Sequence, residues 1–169
     1  MDLRLMAAEP TAEERAAVDL VLGPAATSPA DDGQVARGGH EFREQRHLLL
    51  PALHALQRSA GWISEGGLNY VCQRLDVPPA EAYGVASFYA LFSTEPRSKT
   101  VVHVCDDIAC MVNGASQLIE QFEQDRDPSA DVAWIRSPCL GMCERAPAAF
   151  VQASGRAAED RVLAPVTVD

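Results

Sequence analysis

Four of the chain's five cysteines fall in two pairs, Cys105 with Cys110 and Cys139 with Cys143. Four residues separate the first pair and three the second, and residues 111–138 lie between the pairs. Their surroundings constrain the fold. Thr100-Val101-Val102-His103-Val104 is short and β-branched, so a strand should end at the first pair. Asp131-Val132-Ala133-Trp134-Ile135 predicts a second strand ending just before the second pair. Between them Ala115, Leu118, Ile119 and Phe122 recur at helical spacing, with Asn113 as the expected cap. Ala148-Ala149-Phe150-Val151 and Arg161-Val162-Leu163 read as two further strands, joined by a turn near Ser154-Gly155. Strand, helix, strand and hairpin make a small α/β layer. If the first two strand ends lie side by side, two loops present four thiolates to one point.

Two chemistries use such donors. Structural zinc takes four thiolates tetrahedrally, commonly with two to four residues within a ligand pair, and these spacings fall in that range. Zinc pairs most often form tight two-residue knuckles, and neither pair here has that form. A 2Fe-2S cluster has two irons that each need two thiolates, which two separate chelating pairs would match. Thiol–disulfide chemistry is disfavoured because the chain has no Cys-x-x-Cys.

Upstream the pattern is helical. Thr11 and Glu14 have the spacing of a capping box, so a short helix is expected to about Leu22. Residues 23–39 are rich in Gly, Pro, Ser and Asp and read as a linker. Residues 40–60 carry Leu49, Leu53, Leu56 and Ala60 on one helical face, with a kink or fresh start at Pro51 and a stop at Gly61. Ser64 should cap a helix burying Leu68, Val71, Cys72 and Leu75. After Pro78-Pro79, Val85, Phe88, Tyr89 and Phe92 predict another buried stripe. The expected organisation is an extension over 1–39, a helical bundle over 40–95 and the cysteine-bearing domain over 96–169.

Composition removes several functions. With 14 basic against 24 acidic residues the net charge is −10, and no basic run offers a footprint for nucleic acid. The strongest apolar windows, residues 48–56 and 83–92, are far below the roughly 20 residues of a membrane span. Asp2, Arg4 and Glu9 break any apolar leader. The expectation is a cytoplasmic protein with no membrane insertion, in a reducing compartment where cysteines serve metals. Neither a phosphate loop nor a dinucleotide fingerprint occurs, and two nucleotide-binding halves would use nearly all 169 residues.

Cys105-Asp106-Asp107-Ile108-Ala109-Cys110-Met111-Val112-Asn113-Gly114 resembles the first ligand loop of the thioredoxin-like 2Fe-2S ferredoxin subunit of NADH:quinone oxidoreductases. Pro138-Cys139-Leu140-Gly141-Met142-Cys143-Glu144-Arg145-Ala146-Pro147 resembles its second loop. Gly84-Val85-Ala86-Ser87-Phe88-Tyr89, Leu50-Pro51-Ala52-Leu53-His54 and Gly61-Trp62-Ile63 are similar to the family's bundle segments. The likeness runs over about residues 48–151. It implies an α+β chain, a helical bundle followed by a thioredoxin-like domain, with one 2Fe-2S cluster on Cys105, Cys110, Cys139 and Cys143. It implies electron transfer without catalytic residues on this chain. The partners would be a flavoprotein subunit holding FMN and NAD(H), together with further iron–sulfur subunits. The same subunit type serves NADH dehydrogenases, NAD-dependent formate dehydrogenases and the diaphorase part of hydrogenases. A free-standing ferredoxin and a zinc-stabilised interaction module are the alternatives.

Other residues get plainer readings. Cys72 lies on an apolar helix face and should pack as a small hydrophobe. Four thiolates complete a site without His54 or His103, so both are expected in packing or surface roles. Met111 and Met142 adjoin the cysteines and either shield the site or fill a core. Phe88 and Tyr89 should join the bundle core. Asp106 and Asp107 are awkward, because carboxylates beside an anionic cluster disfavour its reduction.

Overall fold

The computed structural model describes residues 8–24, 45–124 and 131–167. The chain divides into two compact units, Met1–Glu95 and Pro96–Asp169. The linker read over residues 23–39 lies, beyond Pro24, outside the described residues, as does the stretch 40–44.

In the first unit the Thr11 hydroxyl accepts the Glu14 N–H at 3.2 Å and the Glu14 carboxylate accepts the Thr11 N–H at 2.7 Å. This reciprocal cap starts α1 (Ala12–Leu22). A 3-10 turn, Arg46–Leu48, leads into α2 (Leu49–Ala60). Pro51 stands in the first turn of α2, where a backbone N–H would have no intrahelical acceptor. The helix therefore starts afresh at Leu49 instead of bending at the proline. Gly61 closes it in the left-handed region, φ +89°, a conformation a side chain would oppose. Ser64 accepts the Gly67 N–H at 2.9 Å and opens α3 (Glu65–Leu75). Pro79 occupies the first position of α4 (Pro79–Phe88). Leu53, Leu56, Leu68, Val71, Cys72, Leu75 and Val18 form the core between these helices.

The N-terminal segment is fastened to this core. The buried Glu14 carboxylate also accepts a hydrogen bond from the Ser64 hydroxyl, so one side chain links the starts of α1 and α3. Asp19 accepts from Tyr70 at 2.8 Å and from Arg74, whose other nitrogen donates to the Gly23 carbonyl at 2.8 Å. The Arg15 guanidinium lies 5.0 Å from the Tyr70 ring centre. Gly66 makes room for the chain here, since a Cβ on it would come 2.2 Å from the Glu9 carbonyl oxygen.

The stripe expected after Pro79 is not what forms. Only Ala82 and Ala86 of α4 are buried, while Phe88 is 81% and Tyr89 45% exposed. Phe92 is buried, but beyond the helix end and against the His54 ring at 4.6 Å. Gln57 fixes the chain beyond the helix. Its buried amide donates to the Leu91 carbonyl and accepts the Ser93 N–H at 2.8 Å, and Ile63 N–H donates to the Ser93 carbonyl at 2.8 Å. These bonds hold residues 91–93 out of helical conformation, so the 3.6-residue period stops at Phe88.

The second unit is a four-stranded mixed sheet of order β2-β1-β3-β4, formed by β1 (Thr100–Cys105), β2 (Val132–Ser137), β3 (Ala149–Ala153) and β4 (Glu159–Leu163). β1 and β2 run parallel with Cys105 opposite Ser137; β3 is antiparallel to both β1 and β4. Two helices connect β1 to β2, the short α5 (Ile108–Val112) and α6 (Ala115–Gln124). Leu118 and Ile119 of α6 bury against Val104, with Phe122 stacked near Trp134 at 5.5 Å. The chain is thus α+β, helices followed by a mixed sheet.

One local expectation is corrected here. Asn113 does not cap the helix that follows; it closes α5, its side-chain amide donating to the Ala109 carbonyl at 2.8 Å. Gly114, φ +97°, then turns the chain into α6. α5 itself is too short and too apolar to show a period in the sequence.

Candidate metal centre

Parallel neighbours send their C-terminal ends to the same edge of a sheet, where loops of open α/β layers commonly hold ligands. β1 ends at Cys105 and β2 at Ser137, and the Asp106 N–H extends the ladder to the Ser137 carbonyl at 3.1 Å. Each cysteine pair leaves from one of these two ends. Cys105 is the last residue of β1 and Cys110 lies on the inner side of α5; both are buried. Cys139 follows β2 by two residues and Cys143 starts the 3-10 turn Cys143–Arg145; both are exposed.

The thiols stand as two pairs. The Cys139 and Cys143 sulfurs are 3.4 Å apart. Cys110 hydrogen-bonds Cys105, and the charges of Cys105 and Cys143 both reach it. Among the described residues, no three His, Cys, Asp or Glu side chains converge on one point. Burial, then the hydrogen bond with Cys105, pushes the Cys110 thiol up to about 11, while the Ala148 N–H works the other way. The hydrogen bond with Cys139 and that neighbour's charge raise Cys143, with a smaller contribution from Asp107. A bound cation would favour the thiolates of Cys110 and Cys143 against these effects.

The backbone contributes as well. Gly141, φ +77°, turns its N–H to the Cys139 sulfur at 3.4 Å. Ala148, just ahead of β3, accepts the Cys105 N–H at 3.0 Å through its carbonyl and donates its N–H to the Cys110 sulfur. Such N–H···S bonds stabilise thiolates and tune clusters. Gly141 had a sequence signal, a glycine inside a ligand loop. Ala148 had none, because it acts only through its backbone. The donor set thus fits a cluster of two irons.

The remaining candidates separate cleanly. Asp107 caps α5, its carboxylate accepting the Ile108 N–H at 2.7 Å, which gives this awkward acid a structural task. Met142 and Leu140 pack over Cys105 and Cys110, whereas Met111 faces outward and its sulfur accepts the Ser116 hydroxyl at 3.5 Å. His103 is fully buried in the sheet, 2.8 Å from the Gln152 side-chain oxygen and 6.1 Å from the Phe150 ring. Burial, reinforced by the Arg97 charge, holds its imidazole below the usual value against the Gln152 hydrogen bond. That is a packing role. His54 belongs to the first unit, where it meets Phe92. Cys72 is buried in the bundle core, and desolvation pushes its thiol up to about 11.

Two thiol pairs thus stand at the ends of the parallel strands of a mixed sheet. The profile of thioredoxin-like 2Fe-2S ferredoxins matches residues 36–163, and the chain belongs to that family. Over 119 residues it is 26% identical to the E-type subunit of NADH-quinone oxidoreductase from Pseudomonas aeruginosa, covering 66% of this chain and 72% of that protein. The corresponding Escherichia coli protein is 25% identical over 127 residues, covering 71% and 76%. An E-type NADH-quinone oxidoreductase subunit of Rhizobium meliloti is 31% identical over 121 residues, covering 68% and 72%. No helix among the described residues is long and apolar enough to cross a membrane.

Proposed function

We propose that this chain is the electron-transfer subunit of an NAD-linked multisubunit oxidoreductase, carrying one 2Fe-2S cluster on Cys105, Cys110, Cys139 and Cys143. The observation that carries the reading is the delivery of two thiol pairs to one sheet edge by β1 and β2. When bound, such a cluster accepts and returns one electron. The chain's residues do the rest. Cys105 and Cys110 hold the inner side, covered by Leu140 and Met142. Cys139 and Cys143 hold the side that faces outward. The N–H groups of Gly141 and Ala148 stabilise negative charge on sulfur.

A hydride donor delivers two electrons, so a flavin must divide them before a one-electron centre can take one. The partner in this reading is therefore a cytoplasmic flavoprotein subunit binding FMN and NAD(H), beside further iron–sulfur subunits. The relatives are named as NADH-quinone oxidoreductase subunits, which favours an NADH dehydrogenase over a formate dehydrogenase host.

Anaerobic purification tests both parts. The expected sample is coloured, with about two irons and two acid-labile sulfides per chain. It should bring down a flavin-containing protein. A colourless sample with one zinc and no sulfide overturns the cluster. A coloured chain that never associates with a flavoprotein overturns the subunit role and leaves a free-standing ferredoxin. Membrane subunits in the assembly identify a quinone-linked host, and a molybdenum-containing partner a formate-linked one.

A further inference from the structure

The two thiol pairs differ in access as much as in position. Cys105 and Cys110 are 1% and 2% exposed and stand on regular elements, the end of β1 and α5. The Cys105 N–H is bonded to the Ala148 carbonyl and the Asp106 N–H to the Ser137 carbonyl, so the backbone around Cys105 is held. Leu140, Met142 and Ala146 pack against this pair. Cys139 and Cys143 are exposed, at the two ends of the turn that follows β2. Their spacing is not that of a dithiol motif. Yet Gly141, in the left-handed region at φ +77°, lies between them, and their sulfurs stand 3.4 Å apart. A disulfide needs about 2.0 Å. Side-chain rotation in an exposed loop supplies the difference, whereas a strand end and a packed helix resist it.

We infer that Cys139 and Cys143 are a redox-sensitive pair, closed to a disulfide by a low-molecular-weight disulfide whenever iron does not hold them, while Cys105 and Cys110 remain thiols. The closure proceeds by two thiol–disulfide exchanges. One cysteine sulfur attacks the S–S bond of the reagent, forming a mixed disulfide and releasing one small thiol. The second cysteine attacks the cysteine sulfur of that mixed disulfide and releases the other. Both cysteine protons leave on the small thiols. The two cysteine sulfurs give up two electrons, and the two sulfurs of the reagent gain them. Exposure sets the selectivity, because the reagent reaches the outer pair and not the inner one. The consequence for iron rests on the function proposed above. A sulfur in a disulfide is not a thiolate, so closure removes half of the ligand set and loading of the cluster waits for reduction. Bound iron in turn occupies both sulfurs and keeps the pair open. A disulfide is reversible where the higher oxidation of an exposed cysteine is not, so closure preserves the outer ligands for use.

The full chain, purified with its metal and then stripped of it by a chelator with a phosphine reductant, is desalted and treated with hydroxyethyl disulfide. Peptide mapping should show one disulfide, Cys139 to Cys143, with Cys72, Cys105 and Cys110 recovered as free thiols after unfolding. Cys143→Ser should stop at a mixed disulfide on Cys139. Cadmium(II), which binds thiolates without added sulfide, then reads the ligand set. Its thiolate charge-transfer absorption should fall by about twofold or more in the closed chain and return on phosphine reduction. The cluster-loaded chain should show no disulfide under the same reagent until chelator is added. A first disulfide that includes Cys105 or Cys110, mixed disulfides that never close, or undiminished cadmium absorption in the closed chain overturns this inference and leaves the proposed function standing. A chain that joins Cys139 to Cys143 but never holds iron overturns the proposed function and leaves the disulfide standing.

Discussion

At Cys110 two effects oppose each other, burial raising the thiol and the Ala148 N–H favouring the thiolate. Metals bind thiolates, so the balance tips only when a cation arrives. Cys72 is buried too, with its own backbone working against desolvation, and its thiol also stands at about 11. A proposed ligand and a core cysteine should differ sharply under substitution. Cys139→Ser should bleach the visible absorption of the purified protein, and Cys72→Ser should leave it intact; equal loss in both would refute the ligand assignment. Cys72 should also resist alkylation. At pH 8 about one thiol in a thousand would be ionised, so iodoacetamide should add to it only after urea unfolding, as read by intact mass. The pairing of four cysteines was legible from spacing alone. The role of Ala148 was not, since a backbone donor leaves no mark on side-chain chemistry.

Among the elements, α3 and α4 each contain a glycine with an opposite prospect. A Cβ on Gly66 would strike the Glu9 carbonyl at 2.2 Å, a backbone atom that cannot swing aside. A Cβ on Gly84 would meet nothing within 4 Å, in the middle of a helix where glycine costs conformational entropy. Gly66→Ala should destabilise the protein by about 1–3 kcal/mol. Gly84→Ala should stabilise it by about 0.5–1 kcal/mol, both read as urea midpoints. Glu14→Ala removes the reciprocal cap of α1 and the Ser64 link together, and should cost about 1–2 kcal/mol by the same measurement. The caps at Thr11 and Ser64 could be read from sequence because a cap is a contact between near neighbours. The end of α4 could not. Gln57 decides it from 34 residues away, and no local period reports such a bond.

For the molecule as a whole, the four paired cysteines all lie in the Pro96–Asp169 unit. A group that binds only the folded state stabilises the part that holds it. Each unit contains one tryptophan, Trp62 in the first and Trp134 in the second. Removing iron with a chelator under reducing conditions should lower the unfolding midpoint seen by Trp134, in a Trp62→Phe background. The midpoint seen by Trp62, in a Trp134→Phe background, should fall less. Equal shifts would show that cluster binding is not confined in its effect to the second unit.

By itself the sequence determined the chemistry and the elements. Thiol pairs, β-branched runs, caps and glycine stops are properties of residues within a few positions of one another, and they read directly as donors, strands and helix ends. Tertiary structure decided what those elements are brought to. Parallel pairing of β1 with β2, across an intervening helix, places Cys105 and Cys139 at one edge. Packing on α2 and hydrogen bonds to α3 make α1 part of the bundle, although its sequence shows only a capped helix. The exposure of Ile108, Met111 and Val112 is likewise a tertiary outcome, because Cys110 must face inward and a five-residue helix has only one other side.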